Sequence, residues 1–232
     1  MRADLARRLA AEGLGTAFLL MAVVGSGIMG EKLAGGNAAI ALLANSLATA
    51  AVLVAFITIL GPISGAHFNP AVTLVAVIRR DLDIATGLGY GFVQVVCALA
   101  GVYATHLMFD LPVMQLSSKL RCGPAQMFSE FVATFGLIIV VAGGSRFRPS
   151  SVAALVGLYI GAAYWFTAST SFANPAVTLA RAATNTFSGI SPSSLPGFLT
   201  AQLVGALAGW AASAGLFGTR KASDCRTSRT HV

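Results

Sequence analysis

The chain has 232 residues, of which 56% are hydrophobic and only 10% charged, with a formal net charge of +7 and a mean hydropathy of +0.79. That composition cannot furnish the polar surface of a soluble protein, so the chain belongs in a lipid bilayer. The basic residues sit singly or in pairs at the ends of apolar runs rather than in a patch, which argues against a nucleic-acid partner. Cys97, Cys122 and Cys225 are odd in number and lack metal-ligand spacing, so neither a complete disulfide framework nor a metal site is expected.

A hydrocarbon core about 30 Å thick takes roughly 20 apolar helical residues per crossing. Six runs meet that need: 9–28, 38–60, 84–109, 127–143, 152–167 and 196–217. Arg7 and Arg8 before the first run resemble the start of a signal peptide, but Glu12 lies inside the run and no persuasive cleavage site follows, so a retained span is expected. Glu31, Lys32, Gly35 and Gly36 read as a loop, and Gly61-Pro62 as the end of the second span. Next comes SGAHFNPAVT, from Ser64 to Thr73, and a short apolar stretch closing at Arg79-Arg80-Asp81. After the third span a polar connection runs from Asp110 to Pro124. A basic turn, Arg146 to Pro149, separates the fourth span from the fifth. STSFANPAVTLARAA, from Ser169 to Ala183, precedes the last span, and residues 218–232 form a polar, basic tail expected to be disordered and solvated.

The two halves repeat one plan. NPAVT occurs twice, and a glutamate stands four residues before a threonine in the first span of each half, Glu12 with Thr16 and Glu130 with Thr134. A single domain over 1–232 is expected, with repeat one at about 1–110 and repeat two at about 124–217. Three crossings per half make the second copy enter from the opposite side, an inverted repeat. With both termini inside, about eleven basic residues fall on the cytoplasmic side and about four outside, the bias that orients membrane proteins. Small pairs four apart, Gly157 with Gly161, Gly205 with Gly209 and Ala44 with Ala48, suit close helix crossings.

Asn followed by Pro is how a helix starts, and here it starts two helices too short to cross. Irregular backbone at membrane depth must be buried in protein or line a watery path. Entering from opposite faces, the half-helices beginning at Pro70 and Pro175 would bring two N-termini together, each carrying roughly half a positive charge. Asn69 and Asn174 would cap them through the side-chain oxygen and leave their amide NH2 groups free to orient the oxygen of a passing molecule.

This constellation resembles the aquaporin family, or major intrinsic proteins, over nearly the whole chain, and SGAHFNPAVT is its most specific element. The resemblance implies an all-α membrane protein of six transmembrane helices plus two re-entrant half-helices, each protomer with its own pore, assembled as a homotetramer. It implies a pore at Asn69-Pro70-Ala71 and Asn174-Pro175-Ala176, loop support by Glu12 and Glu130, and a pore-lining role for His67. His106 and His231 have no evident context.

Most family members follow the second box with arginine; here Val177 stands there. Carrying the rest of the family's filter over by spacing gives Thr49, Ala162 and Ser171, all small and uncharged, and so a wide constriction. Arg181 lies one helical turn beyond Val177 and is not assumed to substitute. Within the family the closest resemblance is to the bacterial aquaglyceroporin-like channels of arsenic-resistance operons. The implied function is passive passage of small neutral solutes and water across a bacterial inner membrane: glycerol-like polyols, arsenous acid and methylated metalloid acids. Weak oxyacids partly in anionic form are a further expectation. An ion-coupled carrier, or a water-selective or weakly ion-conducting pore, is the alternative; no catalytic constellation, cofactor site or metal site is expected.

Overall fold

The computed structural model describes residues 4–218; the basic tail, with Cys225 and His231, lies outside the described residues. Among the described residues there are eight α-helices and no strands: α1 (Leu5–Leu33), α2 (Ala38–Ser64), α3 (Pro70–Ile78), α4 (Ile84–Met108), α5 (Pro124–Phe147), α6 (Val152–Phe166), α7 (Pro175–Arg181) and α8 (Leu195–Phe217). All but α3 and α7 are long and apolar enough, with the flanking turns, to cross a membrane.

Local chemistry explains most of the boundaries. Asp4 caps α1 by accepting from the Arg7 N–H at 2.8 Å, Asn37 caps α2 at the N–H of Ala39, and Asp83 caps α4 by accepting from the Thr86 N–H at 2.9 Å. These side chains satisfy donors that the first turn leaves without partners. α1 runs five residues beyond the expected Ile28 and absorbs Glu31 and Lys32, which sit exposed on a helix end instead of in a loop. α2 likewise continues through Gly61-Pro62 to Ser64. Near a C-terminus, proline removes one N–H from the ladder without ending the helix.

The helices pack in a twofold pattern. α1 lies against α2 and α4 as α5 lies against α6 and α8, and α2 meets α6 across the repeat boundary. Each half-helix sits between the last spans of both repeats, α3 and α7 each touching α4 and α8. An arrangement in which each repeat covers the other's irregular backbone is what the bilayer demands.

Glycine sets the closest approaches. A Cβ on Gly101 would lie 2.4 Å from the Ala17 carbonyl oxygen, where α4 crosses α1. Its counterpart on Gly205 would lie 2.5 Å from the Phe131 carbonyl oxygen, where α8 crosses α5. In lipid, where apolar burial gives helices little reason to associate, such contact supplies the attraction. Gly101→Ala and Gly205→Ala are each expected to cost about 1–3 kcal/mol, read as a lower unfolding temperature of the detergent-purified protein. Gly91→Ala, on the same helix as Gly101 but with nothing within 4 Å of its added Cβ, is expected to leave that temperature unchanged.

Candidate functional site

The two loops ahead of α3 and α7 have matching backbone strain. Ala66 and Phe68 have φ of 49° and 49°, and Ser171 and Ala173 have φ of 50° and 48°. Residues with a Cβ resist this left-handed region by roughly 1–2 kcal/mol each, so something must hold them there. In the first loop it is Glu12, fully buried. Its Oε1 accepts from Ser64 Oγ at 2.7 Å and the His67 N–H at 2.9 Å. Its Oε2 accepts from the Phe68 N–H at 2.8 Å and Gln94 Nε2 at 2.9 Å. In the second loop Glu130, also fully buried, accepts from the Phe172 N–H at 2.8 Å, the Ala173 N–H at 2.9 Å and Gln202 Nε2 at 2.6 Å.

Sequence reasoning had not found the glutamines. Gln94 also donates to Thr73 Oγ1 at 3.1 Å, and Gln202 to Thr178 Oγ1 at 2.7 Å, so each ties a glutamate to the threonine of its NPAVT run. The available signal was the single amide side chain in the mostly apolar third span of each repeat. The Glu-to-Thr spacing has a different meaning: Thr16 and Thr134 donate to the carbonyls of Glu12 and Glu130, at 2.7 and 2.8 Å, within their own helices.

Between the loops the two boxes meet. Asn69 Oδ1 caps α3 at the Ala71 N–H, 2.9 Å, and Asn174 Oδ1 caps α7 at the Ala176 N–H, 3.0 Å. The amide NH2 groups are not wholly free, contrary to expectation. Asn69 Nδ2 donates to the Ala173 carbonyl at 2.8 Å and Asn174 Nδ2 to the Phe68 carbonyl at 2.7 Å. Each amide thus spends one hydrogen on the opposite repeat and keeps one. Pro70 and Pro175 occupy the first helical positions, and Ala71 and Ala176 are fully buried behind them.

A continuous cavity of about 470 Å³ passes both asparagines, from Arg79 and Asp81 at one end to Tyr164 and Arg181 at the other. Most of its wall is apolar, with Leu19, Val23, Leu53, Val156 and Ile160 among the lining residues. His67 lines it on the α3 side, its Nδ1 3.0 Å from Thr73 Oγ1. Thr49, Ser171 and Val177 line it as well. Ala162 does not: it is exposed on the outer face of α6, and Tyr164 lines the cavity instead, its hydroxyl 3.2 Å from Thr49 Oγ1. Residues two apart on a helix point about 200° apart, so a spacing error of two carries a residue from the pore face to the lipid face.

Arg181 is in the wall after all. It is 2% exposed, on the same helix face as Val177, and its guanidinium carbon stands 3.4 Å from the centroid of the Phe172 ring. It also belongs to a clamp on the segment after α7, in which three consecutive carbonyls accept from three cations. Lys119 Nζ donates to Phe187 at 2.8 Å, Arg181 Nε to Ser188, and Arg121 Nε to Gly189 at 3.0 Å. Burial, with the Arg121 and Arg181 charges behind it, lowers the Lys119 amino group, and burial lowers Arg121. At the far end of the cavity Arg79 is paired with Asp81 at 3.0 Å, the one ion pair among the described residues. His106, which had no evident context, is fully buried and bridges the Val113 carbonyl (2.7 Å) to Thr184 Oγ1 (2.8 Å), joining the end of α4 to the clamped segment.

Comparison with known proteins bears on this geometry. The sequence profile of the Major intrinsic protein family matches residues 1–168. The chain is 58% identical over 204 residues to Aquaglyceroporin AqpS of Rhizobium meliloti (strain 1021), covering 88% of this chain and 87% of that one. It is 30% identical over 214 residues to Aquaporin NIP6-1 of Arabidopsis thaliana, covering 89% and 67%. Among solved structures, the aquaglyceroporin from Plasmodium falciparum superposes with a TM-score of 0.68 over 94% of this chain and 97% of that one, at 20% identity.

Removing one loop-holding carboxylate tests the account of the strained backbone. Glu130→Ala leaves two buried N–H groups and the Gln202 amide without their acceptor and is expected to destabilise by roughly 3 kcal/mol or more. Thermal unfolding in detergent reads the loss, with Glu130→Gln falling between because its amide oxygen still accepts. An unfolding temperature equal to wild type would show that the loop is held by something else.

Proposed function

The chain belongs to the major intrinsic protein family, whose members are membrane channels and not enzymes, and from that premise we propose a passive pore for small neutral solutes. The solutes are glycerol-like polyols, arsenous acid, methylated metalloid acids and water. The observation that carries the proposal is the make-up of the cavity wall around the second box. Val177, Thr49 and Ser171 put no charge at their own level, the guanidinium of Arg181 standing one turn beyond Val177, and Tyr164 brings a phenol that meets Thr49. The expected set was small at all four positions, and the phenol makes it amphipathic. A polyol has the same division, an apolar C–H edge and a row of hydroxyls, and a mostly apolar channel with few polar groups suits it. The relative AqpS is itself described as an aquaglyceroporin, which supports the same solute class.

In this reading Asn69 and Asn174 each offer the remaining amide hydrogen to a permeant oxygen, and His67 contacts solutes on the α3 side. Glu12 and Glu130 are scaffold. Their oxygens are occupied by backbone N–H groups and glutamines, which leaves them ill-suited to the ion relay a coupled carrier needs. The protein is a multi-pass membrane protein, and we place it in a bacterial plasma membrane as a homotetramer with cytoplasmic termini, so that the α7 end of the pore faces outward.

Proteoliposomes containing the purified protein, followed by stopped-flow light scattering, are expected to take up glycerol and arsenous acid at least about tenfold faster than empty vesicles. Transport of water alone would sink the solute assignment. Val177→Arg is expected to cut glycerol entry by about tenfold, a rise in barrier of about 1.4 kcal/mol, with a smaller effect on water.

A further inference from the structure

Among the described residues Arg181 has no carboxylate partner, and nothing in the neutral-solute reading uses its charge. Its Nη1 is buried without a hydrogen-bond partner, and so is Ser171 Oγ, on the residue next to Phe172. Both residues line the cavity. Buried polar atoms nearly always have partners, and an orphaned guanidinium nitrogen is among the costliest exceptions. What steadies the cation is partial: the Phe172 face, the Ser188 carbonyl, and the negative end of the α7 dipole, since Arg181 is the last residue of that helix. Lys119 and Arg121 stand close by and add positive charge, and each is satisfied by carbonyls instead of carboxylates. At the other end of the pore the charge of Arg79 is met by Asp81. Of the two arginines that line the cavity, Arg79 thus has a carboxylate in contact and Arg181 has none.

We propose that Arg181 and Ser171 form a binding site for the monoanions of small oxyacids, at the end of the cavity where α7 terminates. A guanidinium presents parallel N–H groups that match two oxygens of one oxyanion, and the serine hydroxyl donates to a third. The anion gains a counter-charge at a depth where it has shed water, and the guanidinium gains the acceptor that the fold withholds. Because Arg181 stands one turn beyond Val177, the site does not narrow the ring that Val177 leaves open. It also keeps a cation in the pore that repels other cations.

The inference rests on the pore reading only for the route by which the anion arrives; binding itself does not require transport. Methylphosphonate at pH 5.5, where it is a monoanion, serves as the probe. Two readouts are taken: 31P line broadening with the detergent-purified full chain, and inhibition of glycerol entry into proteoliposomes. Wild type is expected to bind saturably, Arg181→Gln to bind about tenfold more weakly or worse, and Ser171→Ala about threefold more weakly. Arg181→Lys, which keeps the charge and loses the fork, is expected to fall between wild type and Arg181→Gln. Elution as a single species confirms folding of each variant, and if Arg181→Gln misfolds, the Lys and Ser171→Ala variants carry the comparison. Absence of binding to wild type, or equal binding by wild type and the variants, would overturn the site. Binding that depends on Arg181 in a protein that passes no glycerol would uphold the site and defeat the channel reading.

Discussion

Two buried carboxylates, each accepting hydrogen bonds from the backbone of a loop that would not otherwise keep its shape, are what the rest of the molecule depends on. Without Glu12 and Glu130 the left-handed residues at 66, 68, 171 and 173 have no reason to persist, and the N–H groups they turn inward have no acceptor. With them, the loops deliver Asn69 and Asn174 to a common centre and start α3 and α7 in opposed directions. The glutamines of α4 and α8 complete the brace by joining each carboxylate to the half-helix that its loop begins. Strain of a few kcal/mol per loop persists because charged acceptors over-determine the backbone.

That brace is also what permits variation at the pore wall. The asparagines, glutamates and glutamines are bound up with one another, whereas Val177, Ser171 and Thr49 contribute side chains to the cavity without carrying a loop. Solute choice can therefore change by substitution at those positions while the half-helices stay in place. Arg181 is an intermediate case, since its Nε holds the Ser188 carbonyl while its Nη1 does no structural work.

The inverted repeat, the half-helix starts and the identity of the box residues were legible in the sequence because they rest on local chemistry: an Asn cap, a proline at the first helical position, a carboxylate in an apolar run. What escaped was set by rotation and by distance along the chain. Ala162 in place of Tyr164 is an error of two residues, harmless to a span boundary and decisive for which face of α6 meets the pore. The meeting of Arg181, Arg121 and Lys119 on consecutive carbonyls joins residues about sixty apart and has no periodic signature. The asparagine cross-bonds span more than a hundred residues and were equally invisible.

Those cross-bonds bear on how the chain is made. Phe68 offers its carbonyl to Asn174, and Asn69 seeks the carbonyl of Ala173, so the first repeat leaves the ribosome with a half-finished centre. Its loop can be pinned by Glu12 at once, because every donor to that carboxylate lies within residues 64–94. Its pore-facing amide and carbonyl must wait for more than a hundred further residues. The two halves therefore mature in sequence but close together, and neither expressed alone contains the partners for its own box.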